Sequence, residues 1–291
     1  MKEEIENTLK SNREKLTDSS RKTYTSLLLN LMKKLKPDKE NLSFFTEKKP
    51  IIEYINGLEK LQSQKTLLSA LYILTHEEDY RTLMLAKCKL VNDQYKEQKI
   101  SADRKDHYIS FDEIKEKYLA LKNALKKNAD AEHIVDFLIV ALMSGVLIPP
   151  RRNEWCDVKI RHYDKDKDNF LDKNTVTFHN YKTESKYGTQ VVKVPRELHP
   201  ILKKWIGMNE TDYLLYNSNT KKKLSSSDLT KRIHRIFQDS KIGCDMFRSI
   251  YLSHIYKDVP KLSELQSIAD SMGHNITTAM TAYVKKWGFV R

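Results

Sequence analysis

The chain is 291 residues long and carries 52 Lys and Arg against 39 Asp and Glu, a formal net charge of +13. That length suits two domains of roughly 100–200 residues better than one, and the positive excess suits a polyanionic partner. Hydrophobic residues at 40% allow packed cores and exclude global disorder, while only 7 Gly and 7 Pro argue against glycine-rich nucleotide loops and collagen-like repeats.

Other classes fall away on local grounds. The opening MKEEIENTLK has no apolar stretch, so no secretory signal is expected there. The longest apolar run, around 134–148, is broken by Asp136, Ser144 and Gly145, so no membrane span is expected. Cys88, Cys156 and Cys244 are odd in number and far apart, which disfavours a disulfide framework or a CxxC zinc site. A reducing, intracellular setting is therefore expected, with Asn275-Ile276-Thr277 a chance match to a glycan acceptor.

Residues 1–98 read as helical throughout. Tyr24, Leu27, Leu28, Leu31 and Leu35 recur at steps of three and four in a helix that Pro37 and Asp38 end. Ile51, Ile52, Tyr54, Ile55 and Leu58 mark a second helix, 65–76 a third, and 80–95 a fourth with Met84, Cys88 and Val91 on one face. Arg21, Lys22, Lys33, Lys34 and Lys65 fit either a solvated surface or a nucleic-acid contact. Residues 99–108 are poor in large apolar side chains and read as a linker. A second unit, 109–291, opens with Ser110 and Glu113 at capping-box spacing, and helices follow at 112–126 and 130–144. The period drops to two at 174–179 and 190–195, which predicts a β-hairpin with a long polar connection. Helices resume at 227–240, 245–256, 261–272 and 277–286. The expected fold class is mainly α with a small antiparallel β-sheet.

Four places in the second unit carry side chains suited to chemistry. After the apolar helix, Pro149-Pro150 presents Arg151 and Arg152, and an arginine fork suits phosphate oxygens. Glu154, three residues after Arg151, is the expected partner that fixes it, the plainer alternative being an interdomain salt-bridge cluster. Lys182 and Lys186 lie in the hairpin connection, where an outward lysine near arginines becomes a usable proton donor. Asp245 and Arg248 stand at i and i+3 on one helix face, with Phe247, Ile250 and Tyr251 burying the other; the alternative is an N-cap and a surface arginine. His274 and Tyr283 are nine residues apart, on opposite sides of any continuous helix, and meet only if the chain bends. Gly273 and Asn275 supply such a bend, with Thr277 able to start a new helix.

In order and spacing, Arg151-x-x-Glu154, Lys182, Arg248, Gly273-His274 and Tyr283 resemble the tyrosine recombinases, the phage-integrase family. The Pro-Pro-Arg-Arg and Tyr-Lys-Thr forms look most like versions from large DNA viruses and their mobile elements. The resemblance implies a helical core-binding domain over 1–98 and a catalytic domain over 109–291, closing as a C-shaped clamp on double-stranded DNA. It implies that Tyr283 attacks a backbone phosphorus to form a 3′-phosphotyrosyl link. Arg151 and Arg248 would neutralise the non-bridging oxygens, Lys182 would protonate the leaving 5′-oxygen, and His274 would hydrogen-bond the phosphate. No metal and no cofactor is implied; a homo-tetramer on synapsed DNA is, without a membrane. The location implied is the nucleus or a viral factory in a eukaryotic host, and the cytoplasm otherwise.

One position departs from the pattern. Where the family commonly has His three residues before the second arginine, this chain has Asp245, which can accept a proton from Tyr283 but brings negative charge beside a phosphate. Lys186 rivals Lys182, and Arg152 rivals Arg151. Members that exchange a C-terminal helix between protomers have more chain than the 284–291 that follows Tyr283 here. The alternatives in view are a non-catalytic DNA-binding protein of the same fold, and a type IB topoisomerase or hairpin-telomere resolvase. The segment 164–175 only superficially resembles a calcium loop, because Asn169 stands for the glycine and Thr175 for the bidentate glutamate; it reads as a solvated loop. No GxxxxGK[ST] or GxSxG occurs.

Overall fold

A computed structural model describes residues 1–35, 41–96, 100, 105–238, 241–258 and 262–284. The chain forms two compact units, Met1–Glu97 and Gln98–Arg291. Half of the expected linker, the Pro37-Asp38 helix end and the tail beyond residue 284 lie outside the described residues.

The first unit is helical: α1 (Lys2–Asn12), α2 (Asp18–Leu35), α3 (Lys48–Asn56), α4 (Leu61–Thr75) and α5 (Glu78–Lys96), with a 3₁₀ turn at Leu42–Thr46. Helix α4 is its centre, burying Leu67, Leu68, Ala70, Leu71, Ile73 and Leu74, and it packs against α1, α2, α3 and α5. It ends where His76 takes the left-handed conformation at φ 56, the usual way to stop a helix. Helix α1 shows little periodicity in the sequence because its buried stripe is only Ile5 and Leu9. Tyr80 donates from its hydroxyl to the Phe45 carbonyl at 2.9 Å, satisfying a polar atom inside this core.

The second unit begins with α6 (Phe111–Lys127), started by the Ser110–Glu113 capping box. Helix α7 (Ala131–Met143), capped by Asp130, is apolar on nearly every side and is the buried axis of the unit. Its end is set by Ser144 and by Gly145 at φ 98, where a Cβ would lie 2.4 Å from the Tyr251 ring. A 3₁₀ helix, Asn153–Asp157, follows. The sheet has the order β1-β2-β3, antiparallel throughout: β1 (Phe170–Asp172), β2 (Thr175–Phe178) and β3 (Gln190–Lys193), with Val176 opposite Val192. The β2–β3 connection carries a short helix, α8 (Glu184–Tyr187). Next come α9 (His199–Met208), α10 (Ser226–Ile236), α11 (Cys244–Ile255) and α12 (Leu262–Ser271). The described chain closes with one α turn, Ile276–Thr278, running into a π-helical turn, Ala279–Tyr283.

Strand β1 corrects the expectation of a wholly solvated loop at 164–175. Asp168 is drawn in by Lys159 at 2.7 Å, which lets Phe170 and Leu171 bury against the sheet. Helix α9 was also not anticipated, since Pro200 near its start and Gly207 near its end mask the Leu202 and Trp205 that it buries. No helix among the described residues is long and apolar enough to cross a membrane.

The close contact at Gly145 makes a direct prediction. Gly145→Ala combines a strained φ with a clash on a packed ring, and costs on the order of 1–3 kcal/mol. Thermal unfolding shows this as a lowered Tm, while Gly207→Ala, inside α9 with nothing within 4 Å of its Cβ, raises Tm slightly.

Candidate active site

Helix α11 is amphipathic in an unusual sense, because one of its buried residues is an arginine. Phe247 and Ile250 anchor it in the core, and Arg248 between them is 1% exposed, which excludes the surface-arginine alternative. Its Nη2 donates to the Tyr283 hydroxyl at 3.1 Å and also to the Asp245 carboxylate. The guanidinium carbon lies 4.9 Å from the centre of the Tyr283 ring. Nε and Nη1 of Arg248 are buried with no hydrogen-bond partner among the described residues. An unsatisfied buried donor is costly, and two on one cation mark a seat for an anion.

Tyr283 is delivered to that seat by local backbone chemistry. Helix α12 ends in a Schellman motif: Gly273, at φ 68, donates to the Asp270 carbonyl at 3.0 Å and His274 donates to the Ala269 carbonyl at 2.9 Å. The bend thus falls where expected, but the next helical turn starts at Ile276, not Thr277, because the Asn275 side chain caps it by accepting from Thr278 at 2.7 Å. The π turn then swings Tyr283 back until its ring centre is 4.6 Å from that of His274. Ser249 holds the backbone there, donating to the Tyr283 carbonyl at 2.7 Å.

His274 is 3% exposed and its Nε2 is buried without a hydrogen-bond partner among the described residues. Burial, with repulsion from Arg152, Arg248 and Arg151 outweighing attraction from Asp245, pushes its pKa down to about 3. The imidazole is therefore neutral at physiological pH.

Arg151 is also buried, at 2% exposed, but Glu154 does not hold it. No hydrogen bond or ion pair joins the two; Arg151 donates instead to the Gln190 side chain and to the Ser271 carbonyl, the latter at 3.2 Å. Its guanidinium carbon sits 4.3 Å from the Phe178 ring centre and 5.0 Å from that of Tyr181. Burial disfavours its charge and the nearby Glu154 carboxylate restores part of it. Gln190, at the start of β3, was not singled out from the sequence; a polar residue opening a strand with period two was the available signal. It also donates to the Asp270 carbonyl at 3.3 Å, so it ties the sheet and Arg151 to the end of α12.

Lys182 is exposed in the turn before α8. Buried Asn169 shapes that turn, accepting from the His179 and Asn180 amides at 2.8 and 2.7 Å. Thr183 then reaches the Gly273 carbonyl at 3.4 Å, which brings the lysine turn beside the His274 bend. Lys182 lines a cavity of about 440 Å³ together with Arg152, Glu154 and Asp245. Lys186 does not line it, its ammonium lying 5.2 Å from the Tyr187 ring centre. Among the described residues no group of three or more His, Cys, Asp or Glu is placed to hold a metal ion.

The mainly helical fold with its small antiparallel sheet is shared with tyrosine recombinases of solved structure. The Tn1549 transposon integrase in complex with a circular-intermediate DNA is 13% identical, with 98% of this chain and 95% of that one covered, at a TM-score of 0.55. A second structure of that integrase with circular-intermediate DNA aligns over 98% and 95% at 13% identity and a TM-score of 0.52. The crystal structure of XerA recombinase aligns over 99% and 95% at 15% identity and a TM-score of 0.43. No protein-family profile matches the chain, and no curated protein sequence does.

The depressed His274 pKa has a signed consequence. Its unfolded value is 6.5 and its folded value about 3, so acid favours the unfolded chain, which takes up a proton the folded one refuses. Stability is complete above pH 6.5 and falls as pH drops toward 3, by up to about 1.4 kcal/mol per pH unit. His274→Gln removes this component, so its Tm declines less steeply than that of the wild type between pH 6.5 and 4.

Proposed function

We propose that the protein is a site-specific DNA recombinase or integrase of a virus or mobile element, cutting and rejoining DNA through a 3′-phosphotyrosyl intermediate. The observation that carries this reading is the Tyr283 hydroxyl bonded to a buried Arg248 whose two other donors are unpartnered. A phosphodiester seated on those donors stands next to the phenolic oxygen, and the guanidinium stabilises the charge that grows on its non-bridging oxygens. The phenolic oxygen attacks phosphorus and the bond to the 5′-oxygen breaks. Lys182 gives that oxygen its proton, and Asp245 takes the phenolic one. Neutral His274 hydrogen-bonds the phosphate through Nε2, and Arg151 holds a second oxygen. Rejoining reverses these steps with the 5′-hydroxyl of another strand.

The positive excess of the chain supports a DNA partner through many phosphate contacts, with affinity that falls as salt rises. Assembly as a homo-tetramer on synapsed DNA belongs to the same proposal. One observation favours the alternative of a DNA-binding protein that does not cut: the Asp245 carboxylate already occupies Arg248.

A radiolabelled, nicked duplex built from the terminal inverted repeats of the element that encodes the chain separates the two readings. Wild type forms a covalent protein–DNA adduct and Tyr283→Phe forms none; absence of any adduct with wild type leaves the binding-only reading. Arg248→Lys and Arg248→Ala lose the adduct yet weaken DNA affinity by less than about tenfold, since one phosphate contact among many is removed. Equal loss of both would make Arg248 a binding or folding residue.

A further inference from the structure

The cavity of about 440 Å³ lies among the 3₁₀ helix Asn153–Asp157, the turn at 180–182 and the first residues of α11. Its volume is within the range of small-ligand sites, roughly 300–1,000 Å³. Its chemistry is not that of a phosphate seat, because Glu154, Asp157 and Asp245 line it against Arg152 and Lys182. Carboxylates repel phosphate and seek N–H donors. Asp157 is engaged by Lys223 and Asp245 by Arg248. Glu154 makes no side-chain hydrogen bond or ion pair among the described residues, its charge being felt only at a distance by Arg151: it is 8% exposed, and its Oε2 is buried without a hydrogen bond. Asn153 and Asn180 use their amide N–H groups on Ser226 and on the Lys167 carbonyl, which leaves their oxygens as further acceptors. Tyr181 adds a fixed aromatic wall, its hydroxyl bonded to the Gly188 carbonyl at 2.6 Å.

Resting on the DNA-cleaving function proposed above, we infer that this cavity receives a guanine base turned out of the helix beside the scissile phosphate, with the Glu154 carboxylate as its selector. The lining is rich in acceptors, so it discriminates by the donors a base presents. Guanine shows N1–H and N2–H side by side, the spacing of the two oxygens of a carboxylate, and forms a paired, charge-assisted contact. Adenine and cytosine offer only an amino group next to an acceptor, and thymine a single N–H between two carbonyls. Enzymes that read an extruded base combine such edge contacts with stacking on an aromatic ring, the part Tyr181 plays here.

Saturation-transfer NMR of the full chain with dGMP, dAMP, dCMP and dTMP at millimolar concentration tests this without knowledge of the target sequence. Wild type binds dGMP at least about tenfold more tightly than the others. Glu154→Gln loses that preference while its affinity for the other three stays the same, and Tyr181→Leu weakens all four alike. Should Glu154→Gln fail to fold by thermal melting, Glu154→Asp keeps the charge but withdraws it, and loses the preference too. Equal binding of the four nucleotides, no binding, or a guanine preference that survives in Glu154→Gln overturns the inference. An adduct through Tyr283 with no guanine preference sinks this site and leaves the recombinase reading intact; a guanine preference with no adduct does the reverse.

Discussion

The core of the second unit holds a cation, Arg248, where a cation is expensive. Arg248 is nearly without solvent contact, and among the described residues its side-chain hydrogen bonds go to Asp245 and Tyr283. Burying a guanidinium with two idle nitrogens, three N–H groups in all, costs several kcal/mol by any reckoning of desolvation. The fold sustains that cost because α11 is nailed down on either side of Arg248 by Phe247 and Ile250. Low dielectric around the group makes each interaction with an arriving anion stronger than at the surface. Asp245 makes the empty site tolerable, since its carboxylate balances the charge while remaining itself largely in water. On the proposed function a phosphate displaces that contact at modest expense, because a 67% exposed carboxylate is readily rehydrated.

The second requirement is that side chains from distant parts of the chain keep their places. The end of α12 is the meeting point. Arg151 and Gln190 both donate to its last carbonyls, and Thr183 reaches the Gly273 carbonyl. Arg151 is thereby tied across 120 residues and the lysine turn across 90. These are backbone carbonyls left over at a helix C-terminus, which must find donors in any case. Using arginine and glutamine for them locates the active-site side chains and satisfies the helix end with the same bonds.

Much of this was legible in the chain and part was not, for definite reasons. The helices with strong caps, such as Ser110 with Glu113 and Asp130 before α7, are local features and read directly. The bend between His274 and Tyr283 was also legible, because Gly273 and Asn275 have conformational meanings of their own. The partner of Arg151 was misread: Glu154 has the right spacing, but residues in a tight 3₁₀ turn project differently from those on an α-helix, and Gln190 comes from a strand 39 residues on. Short strands such as β1 carry too few residues to display a period, and α9 hides its start and end behind Pro200 and Gly207.

The π turn at Ala279–Tyr283 explains why a histidine and a tyrosine at that spacing can share a site. An α-helix would advance its side chains by about 100° per residue and carry the phenol to the far side. A π turn winds more slowly, and starting from the Asn275 cap it returns the ring to face His274 and Arg248. Its closing bond, Val284 to the Ala279 carbonyl at 3.0 Å, and the Ser249 tether are few in number. Phenol placement therefore rests on a short segment anchored by buried Ala279 and Val284, whereas Arg248 rests on a core helix. On the proposed chemistry this division is useful: the charge-stabilising group stays fixed while the group that must move onto phosphorus and off again is held by bonds that exchange easily. A neutral His274 fits the same scheme, because an imidazolium there would add a further charge to the three guanidiniums in reach and would be stabilised only once a phosphate arrived.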